Sequence, residues 1–252
     1  MSALPVLAAD LNVYSVAKET ALGRQMSAEL EKEARVVDDP VIAEYINRLG
    51  QNLAQRAKAD FPLTVKMIQS DEVNAFTLPG GFIYVNSAMM KMADNEAELA
   101  SVIAHEIGHA VARHATRQAT RGTLLRMAQL PLGALIPGLG GIAARQAASA
   151  ATPVVSFHFS RAFETEADLM GVHYMAEAGY EPTASIDMFE RIASTQRATP
   201  GRVSQLFLSH PPTGDRIKKT QAEIRKLTAE SDGYVLNTSE FEEIRTRLIA
   251  GN

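Results

Sequence analysis

Residues 102–111 read VIAHEIGHAV, and the HExxH motif inside this apolar stretch decides the expected fold class. In an α-helix, positions i and i+4 lie on one face, so His105 and His109 can both point at one zinc ion. Glu106 follows the first histidine and can act as general base on a water molecule at the metal. The alternative is a surface helix with two incidental histidines, and the rest of the chain decides between the two.

A third protein ligand is expected, because zinc hydrolases usually hold the metal with three side chains and leave one position open. The metzincin pattern needs glycine and histidine where this chain has Ala112 and Ala115. His114 misses that register by one residue and, at about 100° per residue, points well away from the motif face. We therefore predict that His114 is a surface histidine.

The segment 160–171, with the sequence SRAFETEADLMG, offers a better candidate. Glu164 and Asp168 are spaced i, i+4, so Glu164 can bind the zinc while Asp168 accepts the free ring N–H of a ligand histidine. Glu166 lies about 200° round the helix from Glu164 and cannot share that role. Alone, this segment would be an ordinary acidic helix face. Beside an HExxH motif, which needs one more ligand, it predicts part of a metal site.

These two motifs also carry a family resemblance. HEIGHAVARH at 105–114, followed by SRAFETEADLMGVHYMAEAGY at 160–180, resembles the gluzincin metallopeptidases of the CAAX-prenyl-protease and HtpX group. The resemblance is closest to the soluble bacterial extracytoplasmic branch. It spans roughly residues 17–225, and the supporting segments are ETALGRQ at 19–25, NAFTLPGGFIYV at 74–85 and LSHPP at 208–212.

The resemblance implies a role for each matching residue. His105, His109 and Glu164 are expected to bind one zinc ion per chain, with Glu106 as the catalytic base. Asp168 is expected to support a ligand histidine from behind.

Two further site expectations come from the resemblance. His210 is expected near the metal, where it either donates to the oxyanion of the tetrahedral intermediate or occupies the fourth zinc position and keeps the enzyme latent. Residues 74–78 are expected to form an edge strand along the cleft, with Asn74, Ala75 and Phe76 binding substrate. Main-chain pairing of this kind predicts broad specificity.

Composition limits the class of protein. A net charge of −4 gives no nucleic-acid footprint, and the absence of cysteine excludes disulfide bonds and thiolate zinc ligands. With 46% hydrophobic content, the 252 residues are expected to form one metallopeptidase domain, 1–252. Its expected parts are N-terminal helices at 11–60, a zincin core at 61–230 and a C-terminal extension at 231–252.

Hydrophobic periodicity predicts an α+β fold, mainly helical with a small mixed sheet beside the HExxH helix, and the resemblance implies that this fold is a zincin. We expect Asn95 to cap that helix, which should run to about Arg121, and Ser239 to begin a last helix with Glu242 in a capping box. The other helices are expected at 11–36, 40–58, 157–178, 182–197 and 212–229, and the strands at 63–69, 74–77 and 82–85.

Residues 127–144 contain no charged side chain, which meets the lower length of a membrane span. Pro131, Pro137 and a glycine-rich stretch interrupt the run, so a mobile apolar flap or a buried hairpin is favoured over a span.

The first ten residues lack the basic and long apolar regions of an intact signal peptide, although they fit the start of a mature chain. His158 and His173 are expected to be structural.

Together these expectations describe a zinc-dependent endopeptidase that hydrolyses unfolded or misassembled proteins in envelope quality control, held latent by a histidine switch. The expected location is periplasmic or otherwise extracytoplasmic, with membrane or outer-membrane assembly contact left open. The alternative is a chaperone-like or adaptor protein with a locked or structural zinc site. The natural substrate and the oligomeric state do not follow from the sequence.

Overall fold

A computed structural model describes residues 11–128, 159–198, 210–211, 213–228 and 233–251. The predicted flap at 127–144 therefore lies outside the described residues except for its first two positions, and so does His158. The helices of the described part are α1 Val16–Glu33, α2 Pro40–Ala54, α3 Ser87–Met92, α4 Glu96–Val111, α5 His114–Ala128, α6 Arg161–Glu177, α7 Ala184–Ala198, α8 Gly214–Thr228 and α9 Ser239–Ala250. The strands are β1 Thr64–Ile68, β2 Ala75–Leu78 and β3 Phe82–Asn86.

The predicted fold class, α+β and mainly helical, is confirmed. The three strands form one mixed sheet in the order β1-β3-β2, in which β1 runs parallel to β3 and β2 runs antiparallel to it. Gly80 and Gly81 make the turn between β2 and β3 with φ of 74° and 88°, a region that only glycine adopts without strain. Because β3 lies between β1 and β2, β2 is at an edge of the sheet, as predicted. It packs against α4.

Side-chain caps fix where several helices begin. The Asn95 side chain accepts a hydrogen bond from the backbone N–H of Glu98 at the start of α4, as predicted. The cap of α9 is Thr238, which accepts from the N–H of Phe241. The predicted Ser239–Glu242 capping box is thus wrong by one position, because the neighbouring threonine takes the capping geometry.

The motif helix also ends earlier than predicted. α4 stops at Val111, and Arg113 adopts φ 56°, in the left-handed region that residues with a side chain seldom enter. Arg113 is held there by Glu19 of α1, whose buried carboxylate lies 2.5 Å from its Nε. The next helix, α5, starts at His114, so the residues after Arg113 do not continue the rotation of α4.

α4 is the central helix of the molecule and packs most extensively against α6. Close approach depends on two glycines: a Cβ on Gly108 would lie 2.9 Å from the carbonyl oxygen of Ala167, and one on Gly171 would lie 3.2 Å from the backbone nitrogen of His105. The two motif-bearing helices therefore meet almost backbone to backbone. Among the helices described, none is long and apolar enough to cross a lipid bilayer.

Candidate metal centre and active site

The two histidines of the HExxH motif point at one place. His105 and His109 are one turn apart on α4, and their Nε2 atoms lie 3.0 Å from each other. His109 is buried, and His105 is partly buried with 12% of its side chain exposed. Two imidazoles with their ring nitrogens facing each other at this distance need a shared cation or proton between them.

Glu164 and His210 complete a cluster around the same point. The carboxylate of Glu164 lies 3.4 Å from Nε2 of His109 and 3.6 Å from Nε2 of His105. Nδ1 of His210 lies 3.3 Å from Nε2 of His105 and 2.9 Å from Oε1 of Glu164. One ligand atom from each of the four side chains lies within 4.8 Å of all the others.

The spacing of these atoms fits zinc. Ligands held at about 2.0–2.2 Å in a tetrahedron lie roughly 3.3 Å from one another. The measured separations around His105, His109 and Glu164 run from 3.0 to 3.6 Å. Imidazole nitrogens with one carboxylate oxygen are also the donor set that zinc takes in hydrolases. The residues present therefore suit a zinc ion.

Asp168 and Arg216 form a chain of contacts that ends on the far ring nitrogen of His105. Oδ1 of Asp168 lies 2.9 Å from Nδ1 of His105. Arg216 donates from Nε and Nη2 to the two oxygens of Asp168 at 2.7 and 2.8 Å. Burial lowers the pKa of His105, but Asp168 and Glu164 outweigh it and raise that pKa to about 10. The two carboxylates thus place negative charge around this ring. The same charge that favours a protonated ring also favours a divalent cation beside it.

The prediction that His114 is a surface histidine is wrong. It is fully buried, with Nδ1 at 2.9 Å from Nδ1 of His109 and Nε2 at 3.1 Å from a carboxylate oxygen of Glu166. The turn at Arg113 causes this, because a fixed rotation per residue does not carry across a helix break. Burial lowers the pKa of His114 to about 4, so the ring is neutral and can accept the N–H of His109.

Comparison with known proteins agrees with this geometry. The profile of Peptidase family M48 matches residues 40–224, most of the chain. The chain belongs to peptidase family M48. The family is one of metallopeptidases, and the expected resemblance to gluzincin metallopeptidases is confirmed.

Three relatives of this M48 chain are proteases by name. The beta-barrel assembly-enhancing protease of Escherichia coli (strain K12) is 30% identical over 213 residues, covering 82% of this chain and 44% of that protein. Metalloprotease LoiP of the same organism is 30% identical over 215 residues, covering 81% of this chain and 79% of its own length. The mitochondrial metalloendopeptidase OMA1 of Arabidopsis thaliana is 32% identical over 196 residues, covering 76% and 38%. The chain spans less than half the length of the beta-barrel assembly-enhancing protease and of OMA1.

Glu106 lies directly beside the cluster of His105, His109, Glu164 and His210. It is fully buried, and Oγ1 of Thr77 lies 2.8 Å from its Oε2 and 2.9 Å from its backbone carbonyl oxygen. Its Oε1 has no hydrogen-bond partner among the described residues and lies 3.6 Å from Nε2 of His210. One carboxylate oxygen is therefore fixed, and the other faces the cluster.

The three predicted substrate-binding residues lie beside the site without entering it. Ala75 is fully buried and Phe76 stacks on Tyr84 with 5.5 Å between ring centroids, on the sheet face opposite Thr77. The carbonyl of Asn74 accepts from the N–H of Asn86. In the same strand, the side chain of Thr77 donates a hydrogen bond to the carboxylate of Glu106. Successive side chains of a strand point to opposite faces, so Thr77 lies on the face opposite Phe76. The sequence pattern could have indicated this placement.

Proposed function

We propose that the chain is a zinc-dependent endopeptidase in which His105, His109 and Glu164 hold the metal. The observation that carries this proposal is the convergence of buried ligand atoms on one point beside the buried carboxylate of Glu106. A zinc ion, when bound there, supplies Lewis-acid chemistry that polarises the scissile carbonyl and makes water nucleophilic near neutral pH.

Glu106 moves the protons of the reaction. Its Oε1, free of partners within the described part of the chain, accepts a proton from the attacking water and passes it to the leaving nitrogen. Thr77 fixes the other oxygen, so the carboxylate keeps its orientation during both transfers. Asp168 and Arg216 keep His105 in the tautomer and orientation that leave Nε2 free to bind the metal.

We infer that His210 acts as a latch in the resting enzyme. Its Nδ1 stands among the ligand atoms, at a distance from His105 and Glu164 that suits a fourth ligand. Nη1 of Arg216 donates to the carbonyl oxygens of His210 and Pro211 and thereby holds this segment against α6 and α8. Removal of the imidazole from the fourth position would admit water and the substrate carbonyl.

The substrate that fits this site best is an unfolded or misassembled polypeptide. β2 pairs with β3 on one side and lies at the sheet edge next to the motif helix, where an extended chain can add as a further strand. Such pairing uses main-chain groups, which only an unfolded or flexible segment exposes. The relatives named for β-barrel assembly favour envelope quality control in the periplasm, with outer-membrane assembly as the partner process.

Metal-dependent proteolysis tests this function. The purified chain should contain one zinc ion and should cleave casein, an unfolded substrate, faster than a compact folded protein. A chelator should stop the cleavage, and added zinc should restore it. The alternative function, a chaperone-like or adaptor protein with a locked zinc site, predicts that casein is bound without cleavage at every zinc level.

A further inference from the structure

Polar contacts from α1 and from the residues just before it hold the turn between α4 and α5. The carboxylate of Glu19 lies 2.5 Å from Nε of Arg113, which is 94 positions later in the chain. Nη2 of Arg113 donates to the backbone carbonyl of Tyr14 at 2.6 Å. Oγ1 of Thr116, on α5, donates to the same oxygen of Glu19 at 2.9 Å, and Glu19 and Thr116 are each only 1% exposed. The turn is therefore tied to a distant part of the sequence.

The segment 11–15, ahead of α1, also lies along α5. Nδ2 of Asn12 donates to Oγ1 of Thr116 at 2.8 Å, and the backbone N–H of Val13 donates to Oγ1 of Thr120 at 3.2 Å. Thr116 and Thr120 are four positions apart, so they share one face of α5. The same region of the chain thus fixes both the turn and the helix that follows it.

The backbone of Arg113 needs such support. Its φ of 56° lies in the left-handed region, where a residue with a Cβ is strained and glycine is not. Strained conformations of this kind persist only where the surrounding structure enforces them. Glu19 supplies the charged contact to the guanidinium, so we expect its removal to let the backbone relax towards negative φ.

The turn decides where His114 lies, because His114 follows Arg113 directly. Nδ1 of His114 lies 2.9 Å from Nδ1 of His109, and its ring stacks on Phe163 with 4.2 Å between ring centroids. Nε2 of His109 faces the cluster of ligand atoms, so the contact with His114 is made at the opposite nitrogen. A contact at that nitrogen fixes the tautomer and orientation of a ligand histidine. Rotation of the backbone at Arg113 would move His114 away from it.

We propose that Glu19 is a positioning residue for the metal ligand His109 and that it acts through the turn at Arg113 and the ring of His114. The inference rests on the proposed function, in which His109 binds zinc. α1 and the segment before it thus control, from outside the metal site, how tightly and in which geometry the metal is held. Glu19→Met keeps the length of the side chain but removes its charge and its acceptors, and it should weaken zinc binding by about tenfold.

A double-mutant cycle tests whether Glu19 acts through His114. Zinc affinity would be measured by chelator competition for Glu19→Met, His114→Phe and the variant with both changes. If the two residues act in series, the double variant loses no more affinity than His114→Phe alone. Losses that multiply to about a hundredfold would overturn the proposal, as would wild-type affinity in Glu19→Met. Glu31→Met is the matched control and should bind zinc as the wild type does, because Glu31 lies on the same helix but contacts Lys66 and Tyr84.

A glycine at position 113 tests whether the turn carries the effect. In Glu19→Met/Arg113→Gly the positive φ needs no support, so zinc affinity should return close to the wild-type value. Glu19→Met/Arg113→Ala removes the same guanidinium but keeps a Cβ, and it should remain about tenfold weaker. Equal affinities of these two double variants would overturn the proposal. If Glu19→Met does not fold, Arg113→Gly and Arg113→Ala in the otherwise unchanged chain give the same comparison, with the same expected order.

Cobalt(II) in place of zinc reports the geometry of the site through its visible absorption. The cobalt spectrum should shift in Glu19→Met and return in Glu19→Met/Arg113→Gly, and an unshifted spectrum in Glu19→Met would contradict a positioning role. None of these measurements uses peptide cleavage. A protein that shows the expected metal affinities without cleaving casein would overturn the endopeptidase and leave the positioning role intact. Failure of the wild type to bind zinc or cobalt would overturn both.

Discussion

The two histidines of the proposed metal site and the groups that support them are built in different ways. His105 and His109 lie four positions apart on one helix, and Glu164 follows on another helix that glycines bring into close contact. The supporting groups are joined across long stretches of chain: His114 to Glu166 over 52 positions and Asp168 to Arg216 over 48. The two histidines are therefore identified by local spacing, whereas the position of Glu164 and the orientation of the rings depend on tertiary structure.

Loss of a ligand should have the largest effect. Glu164→Ala removes one donor and should weaken zinc binding by more than about a hundredfold, because loss of a supporting group alone costs about 10- to 100-fold. Zinc affinity by chelator competition checks this. Glu177→Ala, near the C-terminal end of the same helix, is the control and should bind zinc as the wild type does. Unchanged affinity in Glu164→Ala would remove this residue from the metal site.

Loss of the support behind His105 should have the next largest effect. Asp168→Asn keeps the shape of the side chain and removes its charge, so it should lower zinc affinity by about 10- to 100-fold. Circular dichroism would show whether the variant remains folded, since Arg216 loses one of its two buried counter-charges and keeps only Glu164. A folded variant with wild-type affinity would show that Asp168 does not orient the ligand.

His114 tests whether a buried contact to His109 contributes to zinc binding. His114→Phe keeps an aromatic ring against Phe163 but removes the acceptor for His109, and we expect zinc affinity to fall by about tenfold. His114→Gln, which retains an acceptor, should recover part of the loss. His173→Ala is the control, because His173 is 42% exposed and pairs with Glu223 away from the site. Equal behaviour of the His114→Phe and control variants would assign His114 a packing role only.

His210 should show the smallest effect on zinc affinity and an opposite effect on activity. If it is a latch, His210→Ala should increase basal casein cleavage severalfold, up to about tenfold if the open state is about one-tenth populated. An oxyanion donor would instead lose roughly a hundredfold or more in rate. Cleavage assays on zinc-loaded protein distinguish the two, and reduced activity in the variant would contradict the latch.

The sequence predicted those parts of the site that depend on helix periodicity. The HExxH spacing places His105 and His109 on one face of a helix. Glu164, one turn before Asp168, was expected to face them, so the cluster could be anticipated. The wrong prediction for His114 has a different cause. It assumed one continuous helix to about Arg121, while Glu19, which is distant in sequence, stabilises an unusual backbone conformation at Arg113.

The sheet was also predictable, but its contribution to the site was only partly so. Alternation gave the three strands, and the Pro79-Gly80-Gly81 turn set the hairpin. Which strand residue reaches the base depends on how β2 lies against α4. The sequence emphasised Asn74, Ala75 and Phe76, whereas Thr77 makes the contact with Glu106. The apolar cavity that opens beside His105 and Glu106 corresponds to no sequence motif, because its wall comes from four helices that meet only in the folded protein.

The most direct test of the central claim is a paired measurement on Glu106→Gln. The substitution removes the proton acceptor and leaves His105, His109 and Glu164 unchanged. We predict that the variant keeps one zinc ion per chain by elemental analysis, while kcat/KM on an unfolded peptide falls by about 10²–10⁴-fold. Full cleavage activity in a folded, zinc-loaded Glu106→Gln protein would contradict the account.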